Sequence, residues 1–431
     1  MPWRLALRLM IAWLAWVPMV SAQQPGPQGF MDPGFHGMPP AGPYSGQPRT
    51  VDHPFQPTLQ EQLVPGSRGG FYGEDPLLDL GLADTLSSMW VRTDYLLLSY
   101  RNPDSRFLGA TPLVVPPAVF NPNATFPAID RVTGVRLGQS GRLMTLDNAN
   151  RNDNNGLKVT VGIPTQLFTL EGSSFYMANS ENPLAFPAFN DVNAVLPTLV
   201  IPAIPLTRDG LPSAIDYILF DGGANVQFSS EVQGADAKLV LGAITPNTGF
   251  DVLPLVGFNY LHYGNHLSIT GDDAGSGTSH SITSAAQNHI FGPELGLRME
   301  SRGQWLTLGL EPKLTLGINR MSNRVTTSQI FATGVDPITL LPLEPDQLSK
   351  DHLSRFSPMI DLASYARLNL SENLQLSFGY QFTAIANVSQ SERNIVWNSS
   401  STLTDPPLIR VQRSHSTFWM SGINLGLNWQ F

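Results

Sequence analysis

The stretch "WLTLGLEPKLTLGIN" (Trp305 to Asn319) alternates almost without a break. Leu306, Leu308, Leu310, Leu314, Leu316 and Ile318 fall on one side, and Thr307, Gly309, Glu311, Lys313, Thr315, Gly317 and Asn319 on the other. Period two marks a strand with one apolar face. The run is about fifteen residues long, well beyond the five or six usual in soluble sheets. The end of the chain repeats the pattern in "FWMSGINLGLNWQF": Trp419, Ile423, Leu425, Leu427, Trp429 and Phe431 oppose Met420, Gly422, Asn424, Gly426, Asn428 and Gln430.

Ten alternating segments are predicted, at about 89–100, 156–163, 166–177, 225–243, 250–269, 286–301, 304–319, 355–370, 373–388 and 411–431. Their connections alternate in length. Short ones fall at Pro164–Thr165, "AITPNTG", Arg302–Gln304 and Ser371–Asn373, and long ones at 101–155, 178–224, 270–285, 320–354 and 389–410. Tight periplasmic turns and long outer loops are the layout of an outer-membrane barrel. The expected fold is therefore all-β: a transmembrane antiparallel up-and-down barrel of about ten strands, occupying 88–431. The apolar faces then meet lipid, as at Leu308, Leu314, Leu376, Phe378, Ile423 and Leu425, while Thr307, Lys313 and Gly379 face the lumen.

The polar faces carry charges of both signs: Arg92, Asp94, Lys158, Glu171, Asp236, Lys238, Glu294, Arg298, Glu300, Glu311, Lys313, Asp361 and Arg367. Barrels near eight strands are filled by side chains, and balanced charges in a narrow space pair into a plug. A selective pore is the competing reading, with one sign expected to dominate. Aromatics near strand ends (Trp90, Tyr95, Tyr100, Phe175, Tyr176, Tyr260, Tyr263, Phe291, Trp305, Trp419, Trp429 and Phe431) suit interfacial girdles.

Composition narrows the picture. Charged residues are 14% of 431, with 38 Gly and 36 Pro, a low charge for a chain facing water on all sides. The formal net charge of −9 disfavours nucleic acid. There is no cysteine, so disulfides, thiolate zinc sites and cysteine nucleophiles are excluded. Arg4 and Arg8, an apolar run from Leu9 to Val20 and "VSA" at Val20–Ala22 predict a signal peptide over 1–22; an uncleaved anchor is the other reading. Residues 23–87 read as a flexible segment rich in Pro and Gly. "AVLPTLVIPAIPL" (Ala194 to Leu206) is apolar, but Pro197, Pro202 and Pro205 would break both a helix and a sheet ladder.

"WVRTDYLLLSY" (Trp90 to Tyr100), "LEGSSFYM" (Leu170 to Met177), "VQGADAKL" (Val232 to Leu239), "VGFNYLHY" (Val256 to Tyr263), "NHIFGPELGLRME" (Asn288 to Glu300) and "LSFGYQFTAIANV" (Leu376 to Val388) resemble, in this order, a planctomycete outer-membrane family of the beta-barrel porin-seven type, formerly a domain of unknown function. The resemblance covers 88–431 and implies an outer-membrane barrel with no set substrate. A terminal Phe431 on an alternating strand also resembles the signal that hands such proteins to the barrel-insertion machinery.

Candidate catalytic groups are present. His289, His352 and His415 lie near outer strand ends, with Asp351 and Asp221 in loops. An Asp–His pair can activate water in a hydrolase, but Asp351 and His352 are adjacent and point to opposite faces. "DNANRNDNNG" (Asp147 to Gly156) and "GDDAGSG" (Gly271 to Gly277) are rich in oxygen ligands yet lack EF-hand spacing, and read as solvated turns. No enzyme, metal or cofactor is expected. Two functions remain: porin-like passive transport of small solutes through a narrow lumen, or a structural or surface-interaction barrel with a plugged lumen and working outer loops. Lipid is the expected partner in both.

Overall fold

The computed structural model describes residues 88–101, 107–110, 125–130, 134–149, 154–165, 167–191, 198–208, 214–245, 249–273, 278–330, 347–399 and 409–431. The expected leader over 1–22 and the segment over 23–87 lie outside them. So do parts of "DNANRNDNNG" and "GDDAGSG". Among the described residues there is no helix.

Ten strands close an antiparallel barrel in chain order. They are β1 (Trp90–Tyr100), β2 (Asn154–Pro164), β3 (Phe168–Met177), β4 (Ala224–Leu241), β5 (Phe250–Asp273), β6 (Thr278–Arg302), β7 (Leu306–Ser328), β8 (Gln347–Asn369), β9 (Leu374–Val388) and β10 (Ser416–Gln430). β10 pairs with β9 on one side and with β1 on the other, Trp90 opposite Gln430 and Tyr100 opposite Met420. This closure satisfies the ladder groups that an open edge would leave bare in lipid. β6 and β7 carry Pro293 and Pro312. Their pairing lapses around each proline and resumes in the same register, because proline removes one donor without changing the pleat.

The strands differ in height. β5 to β8 have 24, 25, 23 and 23 residues, whereas β1 to β3 have 11, 11 and 10. The described residues of the expected long connections over 270–285 and 320–354 are therefore largely strand: β5 runs to Asp273, β6 starts at Thr278, β7 runs to Ser328 and β8 starts at Gln347. Their polar outer positions hid this from a reading that followed the apolar face alone. On β7 the exposed apolar positions run from Leu306 to Ile318. At about 3.3 Å per residue and a tilt near 40°, the ten steps from Leu308 to Ile318 span about 25 Å, the height of a barrel's apolar band.

The loops at the tall end fold into a second sheet. Thr198–Arg208 is its central strand, parallel to Gly134–Leu143 and to Asn398–Ser399, and antiparallel to Ala214–Leu219 and Phe189–Asp191. The expectation that Pro202 and Pro205 would prevent a ladder is corrected here. Proline keeps its carbonyl and an extended-compatible φ, and these two accept from the backbone N–H groups of Phe220 (3.0 Å) and Ala110 (2.7 Å). Ile204, Leu206, Phe220 and Trp397 pack with Val226, Phe228, Leu267, Ile269, Ile282 and Val325 on the inner face of the tall wall.

Candidate functional site

The interior is layered, and one strand displays the layers. From the short-turn end, and passing over Gly296, Gly292 and Ala286, the inward positions of β6 read Glu300, Arg298, Glu294, Ile290, Asn288, Ser284 and Ile282. All are buried. Charge, then an apolar belt, then amides and hydroxyls, then the loop cap follow one another along the axis.

The thirteen charges named from sequence all project into the first layer. Arg298 grips Glu171 with two parallel bonds of 2.7 Å and holds Glu311 through Nε at 2.8 Å. Lys238 closes the ring, 2.6 Å from Glu311 and 3.5 Å from Glu171. These four groups stand on β3, β4, β6 and β7, so the ring ties one wall to another across the lumen. Lys313 lies 3.4 Å from Glu294, Arg367 lies 3.4 Å from Glu300, and Arg92 lies 2.9 Å from Asp94. Asp236 accepts from Ser173, and Asp361 from Thr383. Lys158 makes no ion pair within 4 Å among the described residues. It lines a cavity of about 50 Å³ with Arg92, Asp94, Lys238, Lys313 and Asp361. That is room for a few waters.

Two glycines let side chains meet across an intervening strand. Asp94, Gly426 and Ser377 share one register line, and the Ser377 hydroxyl donates to Asp94 at 3.2 Å. A Cβ on Gly426 would meet the Asp94 carboxylate. Glu300, Gly309 and Tyr365 repeat the arrangement, with the Tyr365 ring lying over Gly309 and its hydroxyl donating to Glu300 at 2.6 Å.

Above the charges comes an apolar belt of Leu96, Leu98, Tyr100, Met177, Val232, Leu261, Tyr263, Ile290, Met359, Ile385, Phe418 and Met420. This corrects the aromatic girdle. Tyr100 and Tyr263 are buried inside, the first tilted against Phe418 at 5.8 Å and the second stacked on it at 4.1 Å, and Phe175 packs against the same belt. Trp90 also lies on the inner face, over Gly162. Tyr95, Tyr176, Trp305, Trp419, Trp429 and Phe431 are exposed on the outside. Strand-end position does not decide face; the parity of each residue in its strand does.

The third layer was not foreseen. After β9 the segment 387–394 turns inward, with Asn387 at φ 56°, a value asparagine tolerates. Ser389, Gln390, Ser391 and Asn394 are buried. Asparagines of the opposite wall hold this latch. Asn288 accepts from the Ser389 N–H (2.8 Å) and donates to its carbonyl (2.9 Å). Asn265 accepts from the Ser391 N–H at 2.9 Å, and Ser284 donates to the Ser391 carbonyl at 2.8 Å. Asn319 donates to the Asn387 carbonyl at 3.2 Å, and Asn323 accepts from the Ser389 hydroxyl and the Asn394 amide. The available signal was a set of inward asparagines, Asn288, Asn319 and Asn323 among them, on strands whose inward charges stop short of them at Glu294 and Lys313.

The candidate catalytic residues are dispersed. Asp351 accepts two bonds of 2.9 Å from Arg413, while His352 is exposed on the other face of β8. His289 accepts or donates at 3.0 Å with the Tyr260 hydroxyl. Asp221 lies in the turn between the loop sheet and β4. No group of three or more potential metal-ligating side chains occurs among the described residues.

The sequence over 90–431 matches the family model described as "Putative beta barrel porin-7 (BBP7)". The chain belongs to the BBP7 family. No curated protein matches it. Among solved structures, the outer membrane protease OmpT of Escherichia coli is similar at 8% identity, covering 80% of this chain and 97% of that one, with a TM-score of 0.42. A FadL homologue of Pseudomonas aeruginosa (8% identity, 80% and 90% covered) and the TodX deltaS2S3 mutant monoaromatic hydrocarbon channel (7% identity, 80% and 90% covered) each score 0.17. These low scores carry no argument about what a BBP7 barrel does.

Proposed function

We propose that this BBP7 protein is a bacterial outer-membrane barrel whose lumen is closed at rest and whose working surface is the folded long-loop end. The observation that carries the reading is the latch over 387–394, held across the lumen above an ion-paired layer. A surface role needs a rigid platform, and the loop sheet packed on the tall wall supplies one. Export through residues 1–22, periplasmic short turns, and delivery of the strand ending in Phe431 to the insertion machinery belong to the same reading. So does a role other than catalysis.

A second reading is favoured by the chemistry of the latch. Its bonds are neutral amide contacts that water can replace, and a cavity lined by charges, with room for a few waters, lies below it. A narrow porin gated by this segment would have that design. Planar-bilayer recordings of the purified mature chain test the pair. The closed-barrel reading expects no steady current, with discrete openings appearing on deletion of 389–394. A stable ion-selective current from the unaltered protein would overturn it.

A further inference from the structure

The outer surface of the tall wall changes character just beyond the apolar band. On β7 the outward positions after Ile318 are Arg320, Ser322, Arg324, Thr326 and Ser328. On β8 the outward positions before Phe356 are Leu348, Lys350, His352 and Ser354. Register sets Arg324 opposite Lys350, Ser322 opposite His352 and Arg320 opposite Ser354. On the neighbouring side, His289 stands opposite both Arg320 and His262. The two imidazoles stack at 4.6 Å, and the Arg320 guanidinium lies over the Phe291 ring at 5.2 Å.

Arg320, Arg324, Lys350 and His352 are exposed. The outward positions 281–291, 318–328 and 348–358 of these strands include no Asp or Glu, and no carboxylate pairs with Arg320, Arg324 or Lys350 among the described residues. The short wall offers no such surface: the outward positions nearest the long-loop ends of β1, β9 and β10 are Leu97, Ser99, Ala384, Ala386, Thr417 and Trp419.

We propose that this face binds the phosphate-bearing headgroup of a lipid in the leaflet at the long-loop end. Depth selects the occupant. Arg320 stands about 5 Å beyond the last apolar position, and Arg324 and Lys350 about 15 Å. Long basic side chains reach several Å back toward the interface, which covers the headgroup layer. Phe291 and Phe356 mark the acyl boundary directly beneath. Two guanidiniums and an ammonium, with His352 between them, match an anion with several phosphoryl oxygens. A soluble protein partner would have to dock against a surface that lipid already flanks. The inference does not depend on the lumen being open or closed.

The test uses the full mature chain in a zwitterionic detergent, offered a diphosphorylated glucosamine lipid and the same lipid after enzymatic dephosphorylation. Native mass spectrometry counts what is retained. The wild-type protein should keep the phosphorylated form with a preference on the order of a hundredfold, given three basic groups at an anionic headgroup. The R320A/R324A/K350A variant should lose that preference while keeping the heat-dependent gel shift of a folded barrel, and the single Arg324→Gln change should reduce it partway. Inorganic phosphate in excess should leave the lipid bound. Equal retention of both lipids, an unchanged preference in the triple variant, or displacement by inorganic phosphate alone would overturn the proposal.

Discussion

The two halves of the interior are closed by different chemistry. Near the short turns, side chain meets side chain: Glu171, Lys238, Arg298 and Glu311 satisfy one another across the lumen. Near the long loops, side chain meets backbone: Asn265, Asn288 and Asn319 hold the N–H and C=O groups of 387–391. The first kind of closure cannot be undone in parts, because separating one ion pair strands a charge away from water. The second can be exchanged for water one amide at a time, each at a small net cost. The lower half is therefore a brace, and the upper half is the part able to move.

The sharpest way to break this contrast is to remove the guanidinium of the brace. Arg298→Ala leaves Glu171 and Glu311 facing each other with only Lys238 between them. The expected loss is about 3–5 kcal/mol, read as a fall in the urea midpoint of the refolded barrel in lipid vesicles. Arg298→Lys keeps the charge but not the two-point grip on Glu171, and should fall between. If Arg298→Ala unfolds like the wild-type protein, the ring is not a brace. The lumen is also too full for a cheap substitution elsewhere in it. Thr315 is fully buried beside Glu294, so an arginine there would be costly, unlike in a wide wet barrel.

Removing a latch amide comes next. Asn288→Ala strips partners from both backbone groups of Ser389 and should cost about 1–3 kcal/mol. Its distinguishing effect is local. Amide hydrogen exchange over 387–394 should rise well before exchange in β5 to β7, and brief openings should appear in bilayer recordings. Uniform loss of protection across the barrel would erase the distinction between brace and latch.

The brace was legible in the sequence and the latch was not, for a physical reason. A charge on the polar face of a strand as alternating as 305–319 has two options, water or a partner, and a ten-strand lumen leaves little water. Parity alone therefore places Glu311 and Lys313 inside. The inward apolar residues Leu96, Leu98 and Tyr100 strain that logic: "DYLLLSY" is apolar on both faces, and only its parity with Arg92 and Asp94 tells which side is lipid. Asparagine has no fixed address at all. Asn323 reads equally well as a solvated strand end until 389–394 is seen folded against it. The tall wall was cut short for the same reason, since Ser, Thr and Arg at 320–328 look like loop when the outer face is expected to be apolar.

A gentler perturbation probes the glycine-spanned contacts within the brace. Tyr365→Phe removes the hydroxyl that crosses Gly309 to Glu300, but Arg302 and Arg367 remain within 3.4 Å of that carboxylate. The loss should be about 0.5–1.5 kcal/mol, with no change in exchange over the latch. A loosened latch in this variant would mean that the two layers communicate through the apolar belt.

The smallest effect separates the halves by pH. His415 sits outside the strands where the chain returns from the latch to β10, and Ser416 beside it donates to Gln390 at 2.7 Å. Burial lowers the His415 pKa, and Arg355 and Arg413 lower it further. Its Nδ1 has no hydrogen-bond partner among the described residues. The folded state thus prefers the neutral ring more than the unfolded chain does. That preference is fully present above the ordinary histidine range and is lost as pH falls through it toward the depressed folded value. As pH falls from about 7.5 to 5.5, exchange at the latch, taken relative to the intrinsic amide rate at each pH, should quicken modestly, while the brace, whose members are carboxylates, lysines and arginines, should not respond. His415→Gln should abolish the pH dependence without changing exchange at the higher pH. If β5 to β7 quicken along with the latch over that interval, or if His415→Gln leaves the response intact, the upper half has no separate titration. The contrast between the two closures would then rest on bond type alone.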